Sequence, residues 1–342
     1  MADVLLTRQS VILAKTEATY GTDQFTVSSL TATDAILTTI PEFSFDVETY
    51  ERNLARESLS PLAPRVTNIN CSLSFSCELR GSGSAGTAPE IGDLLEACGF
   101  AEAVEASAVY YNPDITQDSS TNRSCTIYMY QGDPGQLKKI TGCVGNVSFS
   151  VEQGGIGVAN FEFQGKFDGT ASFGGGNNNA NIPSANYDEQ LPPIAQNISF
   201  NYGGDTAFDI TNFELNMNND IQNIKTMNKN VKTATNFYLS GRAPSGSFNP
   251  LLEIDMTAED VIANLENSTA KHIDFTLGST GGNKVQFFLG ATQTGGSEFD
   301  VDAVTLTNIG FEDDNGLARY NCEYMLGASF DTGNDEVLIK FF

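Results

Sequence analysis

The one histidine of the chain limits the catalytic chemistry that the sequence can support. His272 follows Lys271 at the start of a short apolar stretch. A Ser-His-Asp or Cys-His arrangement would depend on this residue alone, and a histidine-based metal cluster needs more than one imidazole. We interpret His272 as a residue at the edge of a strand. The sequence therefore favours a protein that is not an enzyme.

A glycine-rich segment at residues 81–86 matches the G-x-G-x-x-G pattern of a dinucleotide-binding turn. The strand predicted before it alternates between apolar and polar residues, whereas a central parallel strand is apolar on both faces. The helix predicted after it begins with Pro89 and Glu90, which puts a carboxylate where a pyrophosphate would lie. We interpret the segment as a loop and expect no cofactor.

Two acidic clusters could attract a hard cation. They are Asp300 with Asp302, and residues 331–336. Neither has the ligand spacing of a defined calcium loop. We interpret both as solvated loops and expect no metal site.

Strict alternation of apolar and polar residues predicts antiparallel strands with one dry face and one wet face. The alternation is clearest at residues 71–80, 143–152 and 158–167. Glycine-containing turns at residues 153–155 and 313–316 predict hairpins. Each half also has one predicted short helix, at residues 89–99 and 257–265, the second capped by Thr257.

The order of these elements occurs twice along the chain. We predict a mainly β protein with two tandem, pseudo-repeated antiparallel β-sandwich or barrel domains, residues 1–172 and 191–342, joined by a Gly/Asn-rich linker at residues 173–190. Such internal duplication is typical of symmetric assemblies. Three segments carry the repeat: residues 40–48 are echoed by 210–218, 143–152 by 303–312, and 155–163 by 316–324.

The charge balance excludes a protein that holds nucleic acid through a basic groove. The 342 residues include 18 basic and 43 acidic side chains, for a net charge of −25. Such a chain repels DNA and anionic membranes. Its apolar runs are too short to span a bilayer, and we expect no secretory signal at residues 1–4. The six cysteines contain no CxxC pair, so we expect buried reduced thiols.

Two long segments, residues 49–69 and 219–235, concentrate basic side chains on this acidic chain. Long loops in compact domains are usually functional, and basic loops can dock on an acidic neighbouring copy. The alternative is that the loops are simply solvated. The candidate contact residues are Tyr50, Arg52, Arg56, Arg65, Lys225, Lys229 and Lys232.

Two blocks of the first half resemble the major tail tube proteins of long, non-contractile-tailed bacteriophages. They are residues 14–23 and residues 75–100, the latter running strand, Gly-Ser loop, Ala-Pro-Glu and Leu-Leu-Glu-Ala-Cys-Gly. The resemblance implies β-sandwich subunits whose hairpins join into the inner barrel of a ring. Rings stack into a tube through which DNA leaves the capsid. In duplicated relatives three copies form a ring with pseudo-sixfold symmetry, and the internal repeat favours this type.

The resemblance also implies where the protein works and what it meets. It would assemble with itself in the host cytoplasm, become part of the virion tail, and contact tape-measure, tail terminator and distal tail proteins. DNA would pass without specific binding and no membrane would be involved. We expect the following polar residues to border either lumen or solvent: Ser72, Ser74, Ser76, Asn146, Ser148 and Ser150.

The alternative interpretation is a β-rich phage decoration or receptor-binding module. Such a protein would present aromatic clusters on loop tips. The candidate cluster is Tyr110-Tyr111-Asn112-Pro113.

Overall fold

The architecture is known from a computed structural model. It describes residues 6–27, 31–114, 123–132, 135–167, 178–180, 185–206, 208–225, 227, 236–252, 260–294, 297–328 and 333–342.

Strands dominate the first half of the chain, with two short α-helices and a 3₁₀ turn at Ala32–Asp34. The elements are β1 (Ser10–Thr16), α1 (Gln24–Val27), β2 (Ala35–Ile36), β3 (Glu42–Tyr50), β4 (Arg65–Glu78), α2 (Gly92–Ala97), β5 (Phe100–Glu105), β6 (Ala108–Pro113), β7 (Cys125–Gly132), β8 (Gly135–Glu152), β9 (Val158–Phe167) and β10 (Asn178–Ala180).

The second half adds twelve strands and one short helix to the described part of the chain. The elements are β11 (Asn201–Tyr202), β12 (Ile210–Asn216), β13 (Asn219–Ile224), β14 (Asn236–Arg242), β15 (Ser245–Pro250), α3 (Val261–Glu266), β16 (Ile273–Leu277), β17 (Val285–Leu289), β18 (Ala291–Thr294), β19 (Ser297–Asp300), β20 (Val304–Asp314), β21 (Leu317–Leu326) and β22 (Val337–Phe341). The predicted mainly β fold is confirmed.

The main helix of each half begins later than the sequence predicted. In α2 the helical turns start at Gly92, and the helix is followed by Gly99, whose φ of +90° suits a glycine. In α3 the N-cap is Asp260, whose carboxylate accepts hydrogen bonds from the backbone N–H groups of Ile262 and Ala263 at 3.0 and 3.1 Å. The predicted cap Thr257 lies outside the described residues.

One antiparallel sheet runs through both halves of the chain. Eight of its strands lie side by side in the order β3-β4-β9-β8-β12-β15-β21-β20. The first four and the last four come from different halves and follow the same order of connections. β8 and β12 join the two sets edge to edge. The sheet is therefore continuous from one half of the chain to the other. The domain boundaries at residues 172 and 191 remain a prediction.

A second sheet covers the dry face of the first. Its order is β11-β16-β17-β22-β6-β5, so it also takes strands from both halves, and no sheet closes into a barrel within the described residues. Between the sheets, Phe287 of β17 packs against Phe149 of β8 and Phe213 of β12, with ring centroids 5.3 and 6.0 Å apart. The two halves thus share one hydrophobic core.

Part of the predicted linker lies within the described residues. Its residues 178–180 form β10, which pairs with the start of β8 through Asn178 opposite Gln136 and Ala180 opposite Gly135. Residues 173–177 and 181–184 lie outside the described residues.

The N-terminal segment is tied down by a buried carboxylate. Glu17 accepts hydrogen bonds from the backbone N–H groups of Gly21 and Gly142 at 2.6 and 2.7 Å. It also accepts bonds from the hydroxyls of Ser124 and Thr126 at 2.6 and 2.8 Å. Because all four donors converge on one buried acid, the turn after β1 is fixed against β7 and β8.

The glycine-rich segment at residues 81–86 serves backbone packing. It lies against the turn between β16 and β17, where the N–H of Gly83 donates to the carbonyl of Gly282 at 3.0 Å. A Cβ at Gly81 would clash with that same carbonyl oxygen. Glycine is therefore needed because two backbones approach closely, which accounts for the motif without a nucleotide.

Replacing Phe213 by alanine should lower the free energy of unfolding by about 3–5 kcal/mol, because the ring fills the core shared by both sheets. Urea unfolding followed by circular dichroism measures the change. The control Leu191→Ala removes a side chain that is 81% exposed and should change the free energy by no more than about 0.5 kcal/mol. Equal effects of the two substitutions would contradict the shared core.

Candidate assembly surface

The wet face of the eight-stranded sheet carries the six predicted polar residues. Ser72, Ser74 and Ser76 on β4 are half-buried, and the residues between them are buried. The same alternation holds on β8, where Val147 and Phe149 are buried. The half-buried positions there are Asn146, Ser148 and Ser150.

Polar side chains continue in rows across both halves of this face. Ser148 lies opposite Asn160 of β9 on one side and Asn216 of β12 on the other. Asn216 in turn lies opposite Ser245 of β15, and Asn146 donates to its side-chain oxygen at 2.9 Å. The rows cross the junction between the halves without interruption, so the wet face is one surface.

The wet face is acidic. Arg319, which points to this side, is held by an ion pair with Asp314 at 2.9 Å, and Lys166 lies over the ring of Tyr20 at 4.6 Å. Both of these cations interact with side chains of the chain itself, so the carboxylates give the surface its negative charge. The acidic side chains on these strands are Glu42, Asp46, Glu162, Glu214, Glu312 and Glu323.

A hairpin of β13 and β14 covers one end of the wet face. Asn219 holds it in place, because its side-chain amide donates to the carbonyls of Cys98 and Gly145 at 2.8 and 3.0 Å. Its backbone N–H donates to the side chain of Asn146 at 3.0 Å. Between the hairpin and the face lies an open polar groove of about 320 Å³. Sequence reasoning missed Asn219, since nothing local marks an asparagine as a tertiary contact.

The two basic segments differ in the structure. Residues 51–64 form an irregular, almost entirely exposed arm between β3 and β4. The candidates Tyr50, Arg52, Arg56 and Arg65 are exposed on or beside it, and Arg56 donates to the carbonyl of Ser60 at 2.5 Å.

Part of the positive charge of the second segment is neutralised by an ion pair within the chain. Lys225, at the end of β13, forms an ion pair with Glu48 of β3. Lys229 and Lys232 lie outside the described residues. The structure thus pairs Lys225, a candidate contact residue of the second segment, with a carboxylate on β3, the strand that leads into the first segment.

The series of eight strands ends at β3 and β20, and both of these end strands are apolar on the dry side. Among the described strands β3 pairs only with β4, and β20 only with β21. Phe45 on β3 is 40% exposed and Phe311 on β20 is 70% exposed. Sequence reasoning missed these residues, although the internal repeat aligns them with Leu215 and Val151, which are buried.

The sequence of the chain matches the family model described as phage tail tube protein over residues 7–312. The chain belongs to the phage tail tube protein family. The match confirms the resemblance seen in residues 14–23 and 75–100. The family is one of structural tail components and not of enzymes.

No curated protein is similar enough to the chain to count as a relative. None of the described helices of this tail tube protein is long and apolar enough to cross a bilayer. The described residues also contain no group of His, Cys, Asp or Glu side chains suited to a metal ion. His272 lies beside Asp302, with Nδ1 2.9 Å from the carboxylate.

Replacing Lys225 by alanine should raise the pKa of Glu48. The Lys225 ammonium donates a hydrogen bond to this carboxylate, which lowers its pKa below the ordinary value. A carbon-13 NMR titration of the Glu48 carboxyl measures the shift. Lys225→Arg keeps a donor and a positive charge and should leave the pKa low; an unchanged pKa in Lys225→Ala would show that the pair does not form.

Proposed function

We propose that three copies of this tail tube protein form a ring with pseudo-sixfold symmetry, and that rings stack into a hollow acidic conduit for DNA. The observation that carries the proposal is the eight-stranded sheet. Its two four-stranded sets have the same order of connections, lie edge to edge, and leave a free edge at each end. One chain therefore supplies two pseudo-equivalent units of a ring.

Head-to-tail contacts between unlike edges support a closed ring. A surface that meets a different surface on the next copy produces a ring if the rotation closes, and a filament if it does not. The junction between β8 and β12 provides the same contact inside the chain. Six such steps would then close a ring of three chains, as in the duplicated relatives that the sequence resembles.

The wet face suits the lining of a DNA conduit. A channel that held phosphates through lysine or arginine would slow the passage of DNA, since each contact adds affinity. Serine, asparagine and carboxylate side chains repel the polyanion over a Debye length of about 10 Å. We therefore assign Ser72, Ser74, Ser76, Asn146, Ser148 and Ser150 to the lumen.

The remaining contacts of the tube follow from its place in a tail. Assembly would take place in the host cytoplasm, and the finished tube would meet a tape-measure protein inside and terminator and distal tail proteins at its ends. The exposed arm at residues 51–64 extends beyond β3 and β4 and is the candidate contact between stacked rings.

The structure removes the feature that favoured a decoration or receptor-binding module. Tyr110 and Tyr111 do not lie on a loop tip but within β6, and both are buried. The hydroxyl of Tyr111 donates to the carboxylate of Glu102 at 2.6 Å. These aromatic residues belong to the core.

Negative-stain electron microscopy across a concentration series tests the proposal. We expect rings at low concentration and hollow tubes at high concentration, with rotational averages that show threefold symmetry and a pseudo-sixfold outline. Compact particles at every concentration would contradict it.

Charge reversal in the exposed arm should separate ring formation from stacking. The double variant Arg52→Glu, Arg56→Glu should form rings but at least about tenfold fewer tubes, because it removes attraction between an acidic ring and its neighbour. Tube length in micrographs measures the effect. The matched control Arg52→Lys, Arg56→Lys keeps both charges and should form tubes; normal tubes from the Glu variant would exclude the arm as the stacking contact.

A further inference from the structure

Two buried cysteines face each other on adjacent strands of the first half. Cys125 of β7 lies opposite Cys143 of β8 in their antiparallel ladder, and both side chains are 0% exposed. Directly opposite residues of antiparallel strands have Cα atoms about 4.5–5.5 Å apart. A disulfide spans roughly 4.4–6.8 Å between Cα atoms. The backbone therefore permits a bond between these two sulfurs without rearrangement.

A bulge in β8 creates this pairing. Ile127 lies opposite Ile140, and the next matched pair is Cys125 with Cys143. Between the two pairs β7 has residue 126 alone, whereas β8 has residues 141 and 142. Without the extra residue Gly142 would lie opposite Cys125, so the bulge is what brings the two thiols together.

The buried carboxylate of Glu17 holds this bulge in place. It accepts hydrogen bonds from the backbone N–H of Gly142 at 2.7 Å and from the hydroxyl of Thr126 at 2.8 Å. These donors are the immediate chain neighbours of Cys143 and Cys125. Because a buried acceptor with several donors fixes its surroundings, the two cysteines are held opposite each other from the residues beside them.

The two thiols also interact directly. They share a hydrogen bond, and burial raises the pKa of both above the ordinary value for cysteine. The shared hydrogen bond lowers the pKa of Cys125 and raises that of Cys143, so Cys125 ionises more readily. The Sγ atom of Cys143 occupies space that a side chain at Gly165 would need, since a Cβ there would lie 2.9 Å from it.

The pair is distinct from the other cysteines of the chain. All six are buried and free in the structure. Cys98, at the end of α2, is near enough to Cys125 for a charge on Cys125 to affect its pKa, so it is the competing partner. The remaining three lie opposite other residue types in their ladders: Cys71 opposite Gly165, Cys77 opposite Ala159, and Cys322 opposite Phe248.

We propose that Cys125 and Cys143 form a disulfide within the chain once the tail tube protein has left the reducing interior of the cell. Thiols persist inside cells, whereas virions in the medium meet oxidising conditions. The bond would tie β7 to β8 covalently, in the register that Glu17 fixes through hydrogen bonds. The proposal concerns the single chain, so it does not depend on the proposed ring.

A small peroxide is the class of oxidant that the step requires. The Cys125 thiolate attacks one peroxide oxygen, the O–O bond breaks, and a sulfenic acid forms while hydroxide leaves and takes up a proton. The Cys143 sulfur then attacks the sulfur of the sulfenic acid, the S–S bond forms, and water leaves with the Cys143 proton. Two thiols and one hydrogen peroxide thus give one disulfide and two waters.

Thiol counting and peptide mapping test the proposal. The full chain is purified in reductant, exchanged into hydrogen peroxide, unfolded and labelled with iodoacetamide. The reduced sample should carry a label on each of the six cysteines, and the oxidised sample should carry two fewer. Trypsin places the two cysteines on separate peptides, residues 124–138 and 140–166, which should appear linked without reductant. A linked pair that includes Cys98, or full labelling after peroxide, would overturn the proposal.

Alanine variants identify the sulfurs by a second route. Cys143→Ala removes one partner, so peroxide should leave every remaining thiol free. The matched control Cys77→Ala removes a buried cysteine that lies opposite Ala159 and should still lose two thiols. Loss of two thiols in Cys143→Ala would overturn the pairing. The peptide map of the unmodified protein gives the answer independently of how either variant folds.

The bond should also stabilise the fold. A cross-link between residues 125 and 143 restricts the unfolded chain, and we expect it to raise the midpoint of thermal unfolding by about 4 °C. Calorimetry of peroxide-treated and reduced samples measures the shift, and Cys143→Ala should show none. An unchanged midpoint in protein that carries the linked peptides would overturn the stabilising role.

Discussion

The pairing of β8 with β12 is the contact on which the rest of the molecule depends. It joins two four-stranded sets into one sheet, so that the dry sides of both halves face the same second sheet. Phe149 and Phe213 then meet at Phe287 in a common core. Without this junction each set would expose an edge and an apolar flank in the middle of the molecule.

The same pairing separates the surfaces of the protein by polarity. Because side chains alternate across a strand, a continuous dry face requires an equally continuous wet face on the other side. Ser148 and Asn216, from different halves, are neighbours on that wet face. An acidic wet face and two apolar edges are therefore consequences of one sheet, and the proposed ring-shaped conduit would use both.

Local patterns in the sequence predicted the strands well, and long-range pairing could not be predicted from them. Alternation on β4 and β8 indicated the correct wet and dry residues because its period of two is a local property of a strand. Asn315 and Gly316 both have positive φ, as their hairpin turn requires. By contrast, nothing near Lys225 in the sequence indicates Glu48, and nothing near Gly81 indicates Gly282.

The sequence also did not indicate which strands join the two halves. The repeat predicted two similar units, but the partner of a strand depends on where the whole chain returns in space. The aromatic pair Tyr110-Tyr111 illustrates the same limit, since an aromatic run is equally compatible with a loop tip and a buried strand.

A cryo-electron microscopy reconstruction of the assembled tube tests the central claim most directly. The account predicts an inner barrel of twenty-four strands, eight from each of three copies, with the side chains of Ser74 and Ser148 toward the lumen. An inner wall built from the other sheet, or with these serines pointing outward, would contradict it.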